Sequence, residues 1–294
     1  MFKKYSSRIT GFIFLFPAVA FIIYSSVIPF VWNIALSFTN WDGFSPAKFV
    51  GLKNFEVVFK QEIMLKSLFN SIFYAFASTV GGVILGLLLA TLVIELAGKE
   101  GSVFRLILFS PAMLPTAVVG LMFVFFYNPE MGLLNQFLKA IGAGDLTHVW
   151  LQDKGTAMLC IIAVAIWKCS GSIMLLCFAA MKTIPNSLYE AGKIDGTNFF
   201  KQTRYITYPL IKPMILLAAV NTLGAQFKSF DLIFVMTQGG PGNLTYTVPI
   251  NMTKIAFMYG RFGNAAAQGV VFTVVVIASI LLVNLLLRGE HYEY

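Results

Sequence analysis

The chain has 294 residues, of which 58% are hydrophobic and only 12% are charged, and its formal net charge is +8. A soluble domain carries about 25% charged residues, and a chain of this size cannot bury so many apolar side chains in a core of its own. The composition therefore excludes a soluble globular protein and predicts an integral membrane protein. The basic residues lie at the ends of apolar segments, so orientation in the membrane explains the positive charge better than nucleic acid binding does.

The first apolar segment runs from Gly11 to Leu36 and follows three basic residues, Lys3, Lys4 and Arg8. This order resembles a secretory signal, but the segment is longer than the roughly 7–15 residues of a signal core. We therefore expect it to remain in the protein as an uncleaved first span.

Five further apolar segments are long enough for a helix of about 20 residues across the bilayer. They lie between Lys66 and Glu95, between Arg105 and Glu130, from Thr156 to Met181, from Leu210 to Phe234, and between Arg261 and Arg288. The sequence thus predicts an all-α integral membrane protein with six transmembrane helices, forming one domain over residues 1–294.

Prolines and glycines predict how these helices are shaped. Proline interrupts the hydrogen bonding of a helix and bends it. The prolines expected to act in this way are Pro17, Pro29, Pro111 and Pro115. Gly82 and Gly86 form a GxxxG pattern, which predicts a close approach between two helices.

Lys and Arg are distributed unequally between the two sets of loops. With the N-terminus inside, the inner segments are residues 1–10, 97–105, 182–212 and the tail after Leu287, and they carry the larger share of the basic residues. Because cytoplasmic loops of membrane proteins are enriched in Lys and Arg, both termini are predicted to be cytoplasmic.

No metal or redox site is predicted. Cys160, Cys169 and Cys177 share one apolar segment at spacings that fit neither a CxxC pair nor a zinc site. His148 and His291 stand alone in the sequence. We expect the three thiols to be buried structural groups.

A polar stretch, YEAGKIDGTNFFKQTRYITYP, interrupts the apolar pattern between the fourth and fifth spans. Asn186 or Ser187 is expected to cap a short helix just before this stretch begins. Gly196 is expected to end that helix, because glycine adopts the left-handed conformation common after a helix C-terminus. The pattern therefore predicts a helix, a tight turn and a second helix on the cytoplasmic side.

Thr197 or Asn198 is expected to cap the second helix, which runs to Pro209. Four large side chains lie on this short segment: Phe199, Phe200, Tyr205 and Ile206. A small element so rich in aromatic residues is typical of a docking surface. Periodicity alone also allows an amphipathic helix that rests on lipid headgroups.

The stretch resembles the EAA loop, E-A-A-x3-G-x9-I-x-L-P, of the membrane subunits of binding-protein-dependent ABC importers. Every spacing matches; the matching positions are Glu190, Ala191, Gly192, Gly196, Ile206, Tyr208 and Pro209. Gly192 replaces the second alanine and Tyr208 replaces the leucine. The segments FVGLKNF, MKTIPNSLYEAG and FDLIFVMTQGGPGN extend the resemblance over essentially the whole chain to the carbohydrate-type permeases, such as the larger maltose permease subunit and the glycerol-phosphate permeases.

This resemblance implies the type I importer permease fold and a transport subunit rather than an enzyme. Residues 182–209 would be the coupling loop, lodged in a cleft of a cytoplasmic ATPase, with Glu190 meeting a basic group and Gly196 forming the turn. The residues that match this role are Glu190, Ala191, Gly192, Asp195, Gly196, Phe199, Phe200, Ile206 and Pro209.

The resemblance also implies partners in the plasma membrane of a prokaryote. They are a second homologous permease, an ATPase dimer, an extracellular solute-binding protein and a sugar substrate. No phosphate-binding GxxxxGK[ST] sequence occurs in the chain. No cofactor is therefore expected in this chain, and ATP and Mg²⁺ are expected on the partner ATPase.

Polar residues inside two spans are candidates for the translocation path, because a sugar hydroxyl needs hydrogen-bonding partners that lipid does not offer. Lysine within a span costs about 2.5–3.5 kcal/mol on insertion scales, so it is expected to face the bundle interior or water. In the fifth span one helical face is expected to hold Asn221, Gly224, Lys228 and Asp231, with the last two paired. The path candidates are Trp167, Lys168, Ser172, Asn221, Lys228 and Asp231; interhelical packing is the alternative for each.

Three other functions remain open at this point. A secondary carrier of this size usually has an ion-binding cluster at mid-membrane and internal repeats, and neither is visible here. A membrane-bound enzyme would need a nucleophile–base constellation or a metal motif. The third alternative is an ABC importer permease for a solute that is not a sugar. Only the resemblance of the chain to carbohydrate permeases favours a sugar over such a solute.

Overall fold

The structure is a computed structural model that describes residues 2–96 and 98–287. The predicted cytoplasmic tail after Leu287 lies outside the described residues. The described part forms two compact units: residues 2–64 with 251–274, and residues 65–250 with 275–287. The assignment of the chain to one permease domain stays a prediction.

The described residues form fifteen α-helices, and the longest of them coincide with the long apolar segments of the sequence. In chain order they are α1 (Phe2–Ile22), α2 (Ile28–Ser37), α3 (Lys53–Lys60), α4 (Glu62–Ile94), α5 (Gly98–Met113), α6 (Thr116–Phe126), α7 (Leu133–Ala140), α8 (Ala157–Met181), α9 (Asn186–Ile194), α10 (Phe199–Gln202), α11 (Tyr208–Leu210), α12 (Lys212–Phe227), α13 (Asp231–Thr237), α14 (Val248–Phe257) and α15 (Phe262–Leu287). Turns of π-helix, Ile23–Val27 and Thr203–Thr207, join α1 to α2 and α10 to α11.

Four continuous helical stretches are long and apolar enough to cross a membrane: Gly11–Ser37, Glu62–Ile94, Ala157–Met181 and Phe262–Leu286. Two bent pairs also qualify when each is taken together, namely α5 with α6, and Phe199–Leu210 with α12. Counting each pair as one span gives the predicted six helices among the described residues. The chain is thus an all-α membrane protein.

The third span is not a single rod, because α5 and α6 meet at an angle of 96°. Pro111 lies inside α5 and Pro115 is the N-cap residue of α6. Pro115 has an extended ψ of 133°, which no helical residue adopts. The predicted bend at this pair of prolines is therefore confirmed. Pro17 and Pro29, by contrast, do not divide their helix, because Gly11–Ser37 qualifies as one continuous membrane-spanning stretch.

The prediction of one continuous fifth helix from Leu210 to Phe234 was wrong. α12 ends at Phe227, and α13 begins at Asp231 after a break of three residues. Because this break lies between Lys228 and Asp231, the two residues do not share one helical face as predicted. Within the described residues no ion pair joins these two side chains.

In the first unit, polar side chains tie the extended loop after α2 to the helices around it. Asn54 donates from Nδ2 to the carbonyl oxygens of Ser37 at 2.8 Å and Thr39 at 2.7 Å. The rings of Trp41 and Phe262 lie 5.3 Å apart. These contacts fix the beginning of α3 against the end of α2.

In the second unit, α8 is the central helix and packs against α5, α12 and α13. It also packs closely on α4 at the predicted GxxxG pattern. A methyl group on Gly82 would collide with Cys169 Sγ, and one on Gly86 would lie 2.7 Å from Ile173 Cβ. The close approach predicted from the two glycines is therefore confirmed.

Candidate functional site

The EAA loop, residues 182–209, folds into two short helical arms joined by a turn. The first arm is α9, and its N-cap residue is Pro185, with a φ of −61° and a ψ of 134°. The prediction of a cap by Asn186 or Ser187 was wrong, since the extended conformation of Pro185 already sets the start of the helix and both residues lie inside it.

The turn between the arms follows the prediction. Gly196 has a φ of +75°, in the left-handed region that glycine adopts without steric cost. Asn198 then caps the second arm, because its Oδ1 accepts a hydrogen bond of 3.0 Å from the backbone N–H of Lys201. The chain therefore reverses direction within four residues.

The two arms touch at Gly192, where the EAA pattern has alanine. Gly192 is buried, and a methyl group on it would lie 2.9 Å from Thr197 Oγ1 and 3.0 Å from Ile206 Cδ1. The hydroxyl oxygens of Tyr189 and Thr207 lie 3.0 Å apart and add a hydrogen bond between the arms. The loop is therefore one packed element.

The ends of the loop are embedded in a buried apolar cluster. Its buried members come from α4, α8, α12, the start of the loop and the residue before α12: Ala90, Ile173, Met174, Cys177, Met181, Ile184, Ile211 and Ala218. Tyr189 and Tyr208 pack against this cluster from the loop. Movement of the loop as a body would therefore act directly on three helices.

The outer surface of the loop carries large apolar side chains. Ile194 is 87% exposed, Phe200 is 79% exposed and Tyr205 is 69% exposed. The rings of Phe199 and Phe200 lie 5.7 Å apart in an edge-to-face arrangement. Exposed aromatic side chains on a rigid element are what a protein interface uses as anchors.

The predicted coupling residues divide into two groups in this geometry. The exposed ones are Glu190, Ala191, Asp195, Gly196, Phe199, Phe200 and Pro209. Gly192 is buried and Ile206 is partly buried between the arms. The sequence prediction did not include Ile194, although an isoleucine at the end of a polar helix is a signal of an exposed apolar contact.

A second candidate site is a cavity of about 400 Å³ between α4, α5, α6, α8 and the break after α12. Its lining residues are Tyr74, Ala112, Thr116, Ala165, Lys168, Cys169, Ser172, Ala225, Gln226, Lys228, Ser229, Phe230, Asp231 and Leu232. Four predicted path residues belong to this lining: Lys168, Ser172, Lys228 and Asp231. Trp167 and Asn221 lie outside the lining, and the ring of Trp167 instead contacts Phe123 at 5.4 Å.

The break after α12 places charged groups at the cavity in a way that a continuous helix would not. Lys228 is the C-cap residue of α12, where the negative end of the helix dipole favours a cation. Asp231 is the first residue of α13, where the N–H groups favour an anion. The two charges are thus stabilised by backbone ends while they remain on the cavity wall.

Several polar residues of the cavity wall, among them Tyr74, Gln226 and Ser229, were not predicted from the sequence. Tyr74 is 1% exposed as a whole residue, and its hydroxyl donates to Gln226 Oε1 at 3.0 Å and lies 3.1 Å from Ser229 Oγ. Tyr74 belongs to α4, whereas Gln226 lies in the last turn of α12 and Ser229 lies in the break that follows. A single sequence does not reveal which residues of different spans lie close together. From the sequence, each of these residues is therefore only a polar residue without a known neighbour.

The turn Thr237–Asn243 has the unusual backbone that its glycines and proline suggest. Positive φ angles occur at Gln238, Gly239, Gly242 and Asn243, and the peptide bond between Gly240 and Pro241 is cis. Thr245 closes the turn by donating to the carbonyl oxygen of Gly240 at 2.7 Å. A contact of this turn with a binding protein stays a prediction, as does the alternative of a helix cap.

Several known proteins are similar to this chain over most of its length. The family described as "Binding-protein-dependent transport system inner membrane component" matches residues 82–289. A probable ABC transporter permease of Bacillus subtilis, YurN, is 38% identical over 92% of this chain and 94% of its own length. The diacetylchitobiose uptake permease NgcF of Streptomyces coelicolor is 36% identical over 97% of this chain and 85% of its own length.

A solved structure shares the fold. It is a bacterial alginate ABC transporter in complex with a periplasmic protein bound to an alginate pentasaccharide. The matching chain gives a TM-score of 0.84 at 21% identity and covers 98% of this chain and 97% of its own length. The family match and the two relatives show that the chain belongs to the inner membrane components of binding-protein-dependent transport systems.

Proposed function

We propose that the chain is a permease subunit of an ATP-driven importer and forms half of the translocation path for a sugar. The observation that carries the proposal is the EAA loop, whose two arms pack together and whose ends are embedded among three helices, while its outer surface exposes large apolar side chains. Such an element can receive a movement from a partner and pass it on as a rigid body.

The partner at the loop is an ATPase subunit. Phe199, Phe200 and Tyr205 supply aromatic anchors for its cleft, and Glu190 supplies a charge for a basic group there. ATP and Mg²⁺ are bound by that partner, since the chain has no phosphate-binding loop. The chain itself is a transport subunit without enzymatic activity.

The cavity between α4, α8 and α12 is this subunit's share of the path. Hydroxyl, amide, ammonium and carboxylate groups on its wall can replace the water that a sugar leaves behind. A sugar substrate is supported by the uptake of diacetylchitobiose named for the Streptomyces relative. Trp167 and Asn221 are proposed to reach the same path from positions outside this cavity.

The complete importer contains further subunits. A second, homologous permease supplies the other half of the path, and two ATPases and an extracellular binding protein complete the assembly. The alginate transporter of similar fold was solved with a periplasmic protein, which supports the last of these partners. Both termini and the EAA loop face the cytoplasm in this arrangement, as the distribution of Lys and Arg indicates.

The test uses the whole transporter, purified with the chains that accompany this one and reconstituted in liposomes. Glu190→Lys reverses the charge that faces the ATPase, so uptake driven by ATP should fall at least tenfold and less ATPase should copurify. Glu100→Lys is the matched control, because Glu100 is exposed at the first turn of α5 and lies outside the EAA loop. It should transport as the unchanged protein does.

Two outcomes would overturn the proposal. One is uptake by Glu190→Lys at the level of the Glu100→Lys control. The other is accumulation of solute by the purified chain alone against a gradient without nucleotide, which would make it a secondary carrier.

A further inference from the structure

One side chain at the end of the EAA loop reaches a helix to which the loop is not covalently joined. The hydroxyl oxygen of Tyr208 lies 3.2 Å from Thr91 Oγ1, near the end of α4. The two residues are 117 positions apart in the chain. The contact thus connects the loop to a second span, beyond its own covalent continuation into α12.

The direction of this hydrogen bond follows from the number of protons. The hydroxyl of Thr91 donates to the carbonyl oxygen of Leu87 at 2.8 Å, within α4. A threonine has one hydroxyl proton, so Tyr208 is the donor to Thr91 whenever Thr91 donates to Leu87. Thr91 is 7% exposed and Tyr208 is only partly exposed, so little water competes for the bond.

Tyr208 occupies the position where the EAA pattern has leucine. A leucine fills a similar volume among Ala90, Ile211 and their neighbours but cannot donate a proton. The hydrogen bond is therefore a feature of this chain and not of the general pattern.

The geometry gives the bond a mechanical consequence. The loop continues into α12 through a bend of 69° next to Ile211, about which the loop could pivot. Attachment to α4 at a second point removes that freedom. α4 also carries Tyr74, which lies 17 residues before Thr91, or about 25 Å away along a helix, and which bonds Gln226 on the cavity wall.

We propose that the Tyr208–Thr91 hydrogen bond is a positioning contact that makes α4 move together with the EAA loop, so that a movement of the loop reaches the cavity through α4 and α12 at once. The inference rests on the proposed function, since it requires the loop to receive a movement from an ATPase. Without the bond, only apolar packing joins the loop to α4. The loop can then turn at its bend further than α4 follows, and part of the ATP is hydrolysed without a matching transport step.

The test measures the ratio of solute imported to ATP hydrolysed by the reconstituted transporter. Tyr208→Phe removes the donor but keeps the ring, and Thr91→Val removes the acceptor but keeps the shape. Each should lower the ratio by about two- to tenfold, the range for losing one hydrogen bond. The double variant should fall no further than either single variant, and Thr91→Ser, which keeps the hydroxyl, should retain the ratio of the unchanged protein.

Tyr259→Phe is the matched control, because Tyr259 is exposed, lies two residues after the end of α14 and is far in sequence from the loop. It should leave the ratio unchanged. An unchanged ratio in Tyr208→Phe, or additive losses in the double variant, would overturn the positioning role. Failure of the proposed function looks different: the unchanged protein would then show no uptake that depends on ATP, or no ATPase would copurify with it.

Discussion

Gly192 shows how one residue balances two opposing effects within the EAA loop. Glycine inside a helix costs about 1 kcal/mol relative to alanine, which alone would favour the alanine of the family pattern. Here the other arm lies so close that a methyl group would contact Thr197 Oγ1 and Ile206 Cδ1 at about 3 Å. Because Ile206 Cδ1 is the flexible end of its side chain, alanine at position 192 needs only a small shift of this neighbour, whereas a larger residue would push the two arms apart.

Gly192→Val should separate the two arms of the loop, because it adds two further methyl groups to a contact already filled. Overpacking of this kind typically costs about 1–3 kcal/mol, and we expect ATPase copurification to fall several-fold. Gly192→Ala is the matched control and should retain most of it. Equal retention by both variants would show that the arms need not touch. The amount of ATPase bound per permease, measured after affinity purification, gives the answer.

At the scale of helices, the sequence predicts a feature well when nearby residues cause it and poorly when contacts between distant spans cause it. The fourth span was predicted as Thr156–Met181, and α8 agrees closely at Ala157–Met181. This prediction succeeds because each residue in contact with lipid must itself be apolar. The break after α12 was missed because no proline or glycine occurs at Lys228, Ser229 or Phe230. It is favoured by contacts with other spans, such as that of Ser229 with Tyr74.

The candidate sites divide in the same way. The EAA loop is one continuous segment of the chain, so its turn at Gly196 and its cap at Asn198 could be predicted from spacing and residue type. The cavity assembles residues of several spans. Lys168 and Lys228 were recognised by the cost of a charge in lipid, whereas Tyr74 and Gln226 carry no such signal.

The break after α12 also yields a prediction about the path. Lys228→Gln removes an ammonium group from the cavity wall while keeping a similar length, and a hydrogen bond to a charged group contributes about 1.5–3 kcal/mol. We expect the concentration of solute-loaded binding protein that gives half-maximal uptake to rise, or the maximal rate to fall, by about tenfold. Lys212→Gln, at the other end of α12 and outside the cavity lining, is the control. Normal transport by Lys228→Gln would assign Lys228 to packing alone.

At the scale of the whole molecule, the chain leaves much apolar surface uncovered. The most apolar part of the stretch Gly11–Ser37 has no buried residue within the described chain, and the same is true of Phe262–Leu286. Such surfaces are stable only against lipid or another apolar helix. These two helices are therefore expected to face lipid or another apolar helix.

The orientation of the molecule in the membrane can be read with introduced cysteines, because the native ones are poorly placed for labelling. Cys160 and Cys177 are buried, and Cys169, which lines the cavity, can be replaced by serine. In that background Lys139→Cys marks the exposed end of α7, and Lys201→Cys marks the exposed EAA loop. Because the loop side carries the excess of Lys and Arg, a maleimide that cannot cross membranes should label Lys139→Cys in intact spheroplasts and Lys201→Cys only after permeabilisation. The reverse pattern would place the EAA loop outside the cell, beyond the reach of any ATPase supplied with cytoplasmic ATP.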